Sequence, residues 1–172
     1  FSQAAQLTSS DTGGRTNLVA LASSANTMVR QGALRESEEV LAAVIPRLRV
    51  LGDRWILATC LSNCGIARQR LGNLAEAQSL FEESLEIRRV LEDDYGIGVT
   101  LVNLAGVATD RAIKESMSRQ ALELGVRLNA PDLCAAAEVD LGEIALQQGD
   151  RAAAATHYID ALNGYASIND EV

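Results

Sequence analysis

The sequence predicts an all-α fold, an α-solenoid of about four antiparallel helix pairs, and three observations carry that prediction. A two-helix pattern recurs along the 172-residue chain. Aromatic residues make up only 3% of the chain, which leaves little material for a β-sheet, and only two prolines interrupt it. Because stacked helix pairs build an extended surface and no closed pocket, this fold favours a binding scaffold over an enzyme.

Anchor residues of a few types recur at a fixed spacing and define the repeats. Glycines lie at Gly32, Gly72 and Gly149, a small residue follows each by five positions, and a large apolar residue follows four positions later. The distance from Gly32 to Gly72 is 40 residues, and a later step is 37 residues, as from Asn103 to Asp140. These steps predict a domain over residues 15–172, with repeats at about 15–53, 54–93, 94–129 and 130–170.

The second copy, RWILATCLSNCGIARQRLGNLAEAQSLFEESLEIRRVLED, carries the clearest pattern. Its apolar residues keep a spacing of three to four on both sides of Gly72, which is typical of two amphipathic helices. Gly72 can adopt the positive φ that ends the first helix, so the turn is short and the helices are antiparallel neighbours. Phe81 then falls on the buried face of the second helix.

The third copy is three residues short and lacks the hinge glycine. It begins in register at Asn103, but Leu122 occupies the position that Leu85 would place at 125. This spacing predicts a shortened hinge and a tighter elbow, in which Thr109 or Asp110 stops one helix and caps the next.

Both ends of the chain indicate an excised fragment of a longer array. Phe1 precedes Phe81 by 80 residues, two repeat steps, so residues 1–14 are interpreted as a remnant of a preceding repeat helix plus its loop. Within that segment, Thr8–Gly14 is predicted to be the inter-repeat loop because it is polar and rich in glycine. No polar helix caps the array before Val172, so we also expect self-association through unprotected repeat ends.

These residues resemble the tetratricopeptide repeat family across all four copies, about 155 residues. The order of a small residue, Gly or Ala, then Gly, Ala and an aromatic residue carries the resemblance, most clearly in the second and fourth copies. The resemblance implies a right-handed superhelix whose first helices line a concave groove. The 37- to 40-residue steps exceed the family's usual 34. They resemble the repeats of large bacterial regulators that join an ATPase core to a DNA-binding domain, and kinesin light chain repeats are similar in length.

Composition and charge exclude several classes of partner. A net charge of -8 repels phosphate backbones and anionic lipid, so no direct nucleic-acid binding is expected. No apolar run reaches the length of a membrane-spanning helix, so no membrane partner is expected. Three cysteines are too few and too odd in number for a disulfide framework, which favours a soluble, cytoplasmic protein. No cofactor is expected either.

A polar residue recurs on the first helices, where the resemblance places the groove. Ser23, Asn63, Asn103 and Asp140 follow the repeat steps. Asparagine offers a donor and an acceptor to the backbone of an extended peptide, although it could equally tie adjacent helices together or face water. The predicted partner-binding groove consists of Asn26, Arg30, Asn63, Ile66, Arg70, Val99, Asn103, Asp140 and Glu143.

The carboxylate clamp of heat-shock co-chaperones in the same family is incomplete in this sequence. Asn26 and Asn63 occupy the positions of its asparagines, but Ala22, Val99 and Asn103 stand where cations are needed. Recognition of a terminal carboxylate by this clamp is therefore not expected. The apolar residues of the groove suit an amphipathic partner helix.

No constellation of residues indicates catalysis or metal binding. Cys60 and Cys64 share one helix face, but no further metal ligands accompany them, and small-residue core packing is the better interpretation. His157 lacks a nucleophile and an orienting carboxylate at catalytic spacing, and is expected at the solvated surface. The sequence therefore favours a non-catalytic protein-interaction scaffold within a larger regulatory protein. The alternative is an effector-sensing domain that binds a small ligand near the irregular third repeat.

Overall fold

A computed structural model describes residues 11–170, and nearly all of these residues belong to α-helices. Short connections join the successive helices, and no strand occurs over the described residues. The helices are α1 Asp11–Gln31, α2 Leu34–Leu51, α3 Arg54–Arg70, α4 Leu74–Val90, α5 Asp94–Ala105, α6 Arg111–Leu128, α7 Pro131–Gln147 and α8 Arg151–Asp170.

The helix starts reproduce the repeat steps that the sequence predicts. The second helices of the four pairs begin at residues 34, 74, 111 and 151. The first helices of the last three pairs begin at residues 54, 94 and 131. Both series contain steps of 40 and one step of 37. The predicted all-α arrangement of helix pairs is confirmed.

The three missing residues of the third copy come from a helix, and the predicted shortening of the hinge is wrong. Helix α5 has 12 residues where α3 has 17. The connection after α5 runs over residues 106–110, whereas the one after α3 covers only residues 71–73. The helix is shorter by five residues and the connection is longer by two residues, which accounts for the net loss of three residues. Glycine is a poor helix former, which favours an early stop at Gly106.

Asp110 caps α6, as the sequence predicts. Its carboxylate accepts hydrogen bonds from the backbone N–H groups of Ala112 at 2.7 Å and Ile113 at 3.1 Å. These two donors have no partner within the helix, so the cap stabilises its first turn without a hinge glycine. By contrast, Gly72 lies within the connection after α3 and has a φ of 86°, in the left-handed region that its sequence position predicts.

The N-terminal loop prediction is wrong for the residues that can be compared. Residues 11–14 of the predicted Thr8–Gly14 loop are the first residues of α1. Glycine lowers helix stability by only about 1 kcal/mol relative to alanine, so the long apolar pattern that follows can extend the helix through Gly13 and Gly14. The predicted remnant at residues 1–10 lies outside the described residues, as do residues 171–172.

The chain divides into two compact units, Phe1–Ile87 and Arg88–Val172. In the first unit, Leu41, Leu48 and Leu61 are among the side chains with no solvent exposure, and Phe81 is fully buried as predicted. In the second unit, Leu133 and Ile144 are 2% exposed. Across residues 11–170, none of the helices combines the length and hydropathy that a membrane-spanning segment requires.

Candidate partner-binding site

Asn63 on α3 and Asn103 on α5 occupy the same register position on two first helices. Asn63 is 8% exposed and Asn103 is half-buried. The side-chain amide nitrogen Nδ2 of each residue is shielded from solvent and has no hydrogen-bond acceptor among the described residues. Neither nitrogen therefore ties adjacent helices together. A buried donor without an acceptor lowers stability by about 1 to 3 kcal/mol, so the repetition of this feature calls for a function.

Asp140 and Glu143 on α7 converge on one cation of the same unit. The ammonium Nζ of Lys114 on α6 lies 3.6 Å from a carboxylate oxygen of Asp140 and 2.8 Å from one of Glu143. The hydroxyl of Ser118 also donates to Asp140 at 3.2 Å. The two predicted groove carboxylates are thus engaged within the chain, and Glu143 alone of the two is exposed.

Burial and charge act in opposite directions within this cluster. Burial raises the pKa of Asp140, although the charge of Lys114 and the hydrogen bond from Ser118 oppose that rise. Burial lowers the pKa of Lys114, but the hydrogen bond and the charges of Glu143 and Asp140 raise it overall. The fold therefore favours the charged form of the lysine while it disfavours the charged form of Asp140.

Lys114 and Ser118 are the site residues that the sequence argument missed. By the step of 37, Lys114 takes the place of Ala77, and Ser118 takes the place of Phe81. The other repeats have a small residue at the position of Lys114 and a large apolar residue at the position of Ser118. The polar residues at these two positions were the signal that the sequence offered. They form a polar cluster where the second repeat has apolar packing.

Arg70, predicted at the rim of the groove, is bonded to the end of α1. Its guanidinium Nη1 donates to the backbone carbonyl of Val29 at 2.9 Å. Carbonyls in the last turn of a helix lack partners within that helix, so this bond stabilises the α1 terminus. Arg70 thus has a structural partner, while the predicted Asn26 and Arg30 are exposed on α1.

The apolar members of the predicted groove are only partly accessible. Ile66 on α3 and Val99 on α5 are half-buried, and Leu146 on α7, an apolar residue outside that predicted set, is 53% exposed. Ser23, which aligns with Asn63, is exposed on α1. First helices of both units thus present accessible side chains, polar in α1 and apolar in α3, α5 and α7.

Cys60 and Cys64 lie in the hydrophobic core cluster of the first unit, as the small-residue packing interpretation predicts. Burial, followed by the charge of Cys64, raises the pKa of the Cys60 thiol to about 12. This thiol therefore stays protonated and unreactive near neutral pH. Within the part of the chain that the structure describes, no three His, Cys, Asp or Glu side chains lie together as a metal site would require.

The prediction of a solvated surface position for His157 is wrong. The ring nitrogen Nδ1 lies 2.6 Å from a carboxylate oxygen of Glu138, and the histidine side chain is 26% exposed. Because α7 and α8 pack as neighbours, Glu138 reaches the ring of His157 across their interface. The pair joins two helices of one repeat and has no nucleophile in its hydrogen-bonded set.

Comparisons with known proteins identify the repeat. Residues 17–90 match the family model of the tetratricopeptide repeat. Among solved structures, the chain is similar to BtubC (BKLC) from P. vanneervenii, with a TM-score of 0.77, 18% identity, and coverage of 96% of this chain and 69% of that chain. No curated protein matches the chain. Residues 17–90 therefore match tetratricopeptide repeats, and the described chain has the fold of an all-α helical-repeat solenoid.

Proposed function

We propose that this chain is a non-catalytic protein-interaction scaffold that binds an extended peptide segment on its first helices. Tetratricopeptide repeats generally mediate protein–protein interaction and are typically non-catalytic, which supports the general class. Each unit has one unpaired amide nitrogen on a first helix, at Asn63 in the first unit and at Asn103 in the second, and this observation carries the finer proposal. A partner's backbone carbonyl would supply the missing acceptor to each of them.

Binding through these amides requires a small rearrangement. Both nitrogens are shielded from solvent in the free chain, so each side chain must turn about its χ1 or χ2 bond toward the partner. The free chain already bears the unfavourable free energy of an unsatisfied donor, which a bound carbonyl relieves. A hydrogen bond to the peptide backbone is independent of the peptide's side chains, so specificity would come from neighbouring groups such as Ile66 and Val99.

Charge supports a partner segment with basic residues. The chain has a net charge of -8, which attracts cationic segments and repels nucleic acid through long-range electrostatics. Exposed Glu143 adds a carboxylate to the first-helix face of the second unit. The length of the repeats supports a role inside a larger regulatory protein of the bacterial cytoplasm, with the partner either a separate protein or another domain of the parent chain.

A peptide-display selection against the whole chain tests this proposal. The affinity of a selected peptide is measured by fluorescence anisotropy for the wild type and for the double variant Asn63→Ala, Asn103→Ala. We expect at least about a tenfold loss of affinity, which corresponds to about 1.4 kcal/mol. Thermal unfolding of the variant should change little or improve, because each substitution removes a buried unpaired donor.

Asn163→Ala provides a matched control, because Asn163 is an exposed asparagine on the second helix of the last pair. Its peptide affinity should equal that of the wild type. An unchanged affinity of the double variant, or a loss that Asn163→Ala shares, contradicts the proposed contact.

A further inference from the structure

The second unit contains a small surface pocket, and none of its lining residues belongs to the proposed peptide-binding site. Its volume is about 250 Å³, and it lies among the end of α4, α5 and α6. Apolar side chains and charged or polar side chains both contribute to its walls. The lining residues are Arg89, Ile97, Leu101, Gln120, Glu123, Leu124 and Arg127.

Comparison with the corresponding position in the first unit shows why Arg89 is distinctive. Forty residues earlier, Arg49 forms an ion pair with Glu83, with nitrogen–oxygen distances of 2.7 and 2.8 Å. By the repeat step of 37, the residue that corresponds to Glu83 is Gln120. Arg89 therefore lines the same pocket as a neutral amide, whereas its counterpart is paired with a carboxylate, and Arg89 makes no ion pair with any described residue.

The remaining lining residues combine an apolar surface with one further cation, Arg127, and one carboxylate, Glu123. Ile97, Leu101 and Leu124 supply the apolar part of the walls. The Arg127 guanidinium is already bonded to the carboxylate of Asp94 at 2.8 Å. Glu123 forms no ion pair with Arg89 over the described residues, so Arg89 is the cation of this pocket without a carboxylate partner, and an apolar surface adjoins it.

We propose that this pocket binds a small carboxylic acid with a short alkyl chain. The carboxylate takes the place that Glu83 holds beside Arg49, and an arginine guanidinium can bind it through two parallel hydrogen bonds. The alkyl chain packs on the apolar walls. This inference goes beyond the protein-interaction function, since the two proposed sites share no residue.

The volume sets the size of the ligand. One water molecule occupies about 30 Å³ in the liquid, so 250 Å³ corresponds to about eight water molecules, and pockets for drug-sized ligands begin near 300 Å³. An acid with an alkyl chain of about six to eight carbons fills this space. Larger amphiphiles would extend into solvent.

Titration of the isotope-labelled chain with octanoate, followed by amide chemical shifts, tests the proposal. We expect saturable shifts for residues of α5 and α6 that line the pocket. Octan-1-ol retains the chain without the charge, and acetate retains the charge without the chain. Both should bind at least tenfold more weakly than octanoate. Binding of octan-1-ol as tight as that of octanoate would overturn the role of Arg89, and so would the absence of saturable octanoate shifts.

Gln120→Glu is the decisive variant, because it restores the carboxylate found in the first unit and should pair with Arg89 internally. It should retain the wild-type fold and lose octanoate affinity at least tenfold. Gln147→Glu adds the same charge on the exposed end of α7, outside the pocket, and should bind normally. Equal affinity of Gln120→Glu and the wild type would overturn the proposal. The variant Asn63→Ala, Asn103→Ala should bind octanoate unchanged, which separates this site from the peptide site.

Discussion

The second and third repeats share a backbone period but fill their helix interfaces with opposite chemistry. In the second, a Cβ atom on Gly65 would lie 2.4 Å from a ring carbon of Phe81, so the glycine is what lets the ring approach the helix. In the third, the corresponding residues are Ala105 and Ser118. Both Phe81 and Ser118 are fully buried. The period therefore specifies which positions are buried, and it does not specify what fills them.

Lys114 extends the contrast to a second position. Its counterpart Ala77 has no exposed surface, as a small residue at a close helix contact requires. Lys114 instead sends its ammonium group to Asp140 and Glu143 on α7. Apolar packing in the second repeat and a hydrogen-bonded ionic cluster in the third should respond differently to substitution and to pH.

The largest difference is expected from the aromatic residue. Phe81→Ala should lower the free energy of unfolding by about 3 to 5 kcal/mol, because it empties a fully buried site. Ser118→Ala at the same register position should lower it by about 1 kcal/mol, the typical net value of a hydrogen bond. Urea unfolding followed by circular dichroism measures both. Glu82→Ala, an exposed neighbour, is the control and should change stability by less than about 0.5 kcal/mol. Equal effects of Phe81→Ala and Glu82→Ala would mean that the register is wrong.

A pair exchange sharpens the comparison at the glycine. Gly65→Ala should destabilise the chain by about 1 to 3 kcal/mol, since the added methyl group meets the Phe81 ring. The first repeat has Ala25 and Leu41 at these two positions. Gly65→Ala combined with Phe81→Leu should therefore be more stable than the sum of the single effects predicts, as a double-mutant cycle measures. Strict additivity would contradict direct contact between the two positions.

The ionic cluster should give a pH-dependent effect. Lys114→Met should lower the free energy of unfolding by about 1 to 2 kcal/mol at pH 7, because Asp140 keeps its burial and loses its cation. Without Lys114, the pKa of Asp140 rises further in the folded state. Near the unfolded-state value of about 3.9 and below, Asp140 is protonated in both states, so the destabilisation should shrink as the pH falls. Unfolding curves at pH 3.5, 5 and 7 measure this trend. A pH-independent difference would assign the effect to lost packing of the lysine side chain.

The smallest effect concerns the surface ion pair of Arg49 with Glu83, since the corresponding described residues Arg89 and Gln120 form no ion pair. A double-mutant cycle on Arg49 and Glu83 should give a coupling of about 0.2 to 1 kcal/mol, as exposed pairs usually do. The same cycle on Arg89 and Gln120 should give a smaller value, because no carboxylate is present. Increased salt should reduce the first coupling and leave the second unchanged. Equal couplings would remove the distinction between the two positions.

Period and burial could be predicted from sequence because they depend on residue spacing. The hinge glycine Gly72, the cap at Asp110 and the burial of Phe81 all follow from local backbone and hydrophobic preferences. The position of the three-residue loss could not be predicted, because a net difference does not reveal whether a helix or a connection has shortened. Side-chain contacts between helices could not be predicted either. The bond from Arg70 to Val29 and the pair of His157 with Glu138 depend on side-chain geometry between helices.

The brevity of α5 has a consequence for local unfolding. With 12 residues it is the shortest of the eight helices between residues 11 and 170, and it ends where α3 continues for five more residues. Isolated helices of about this length are marginal in water, so α5 depends on its neighbours for most of its stability. Amide hydrogens near Ala105 should then exchange with deuterium earlier than those at the same position of α3, and opening of the second unit should begin there.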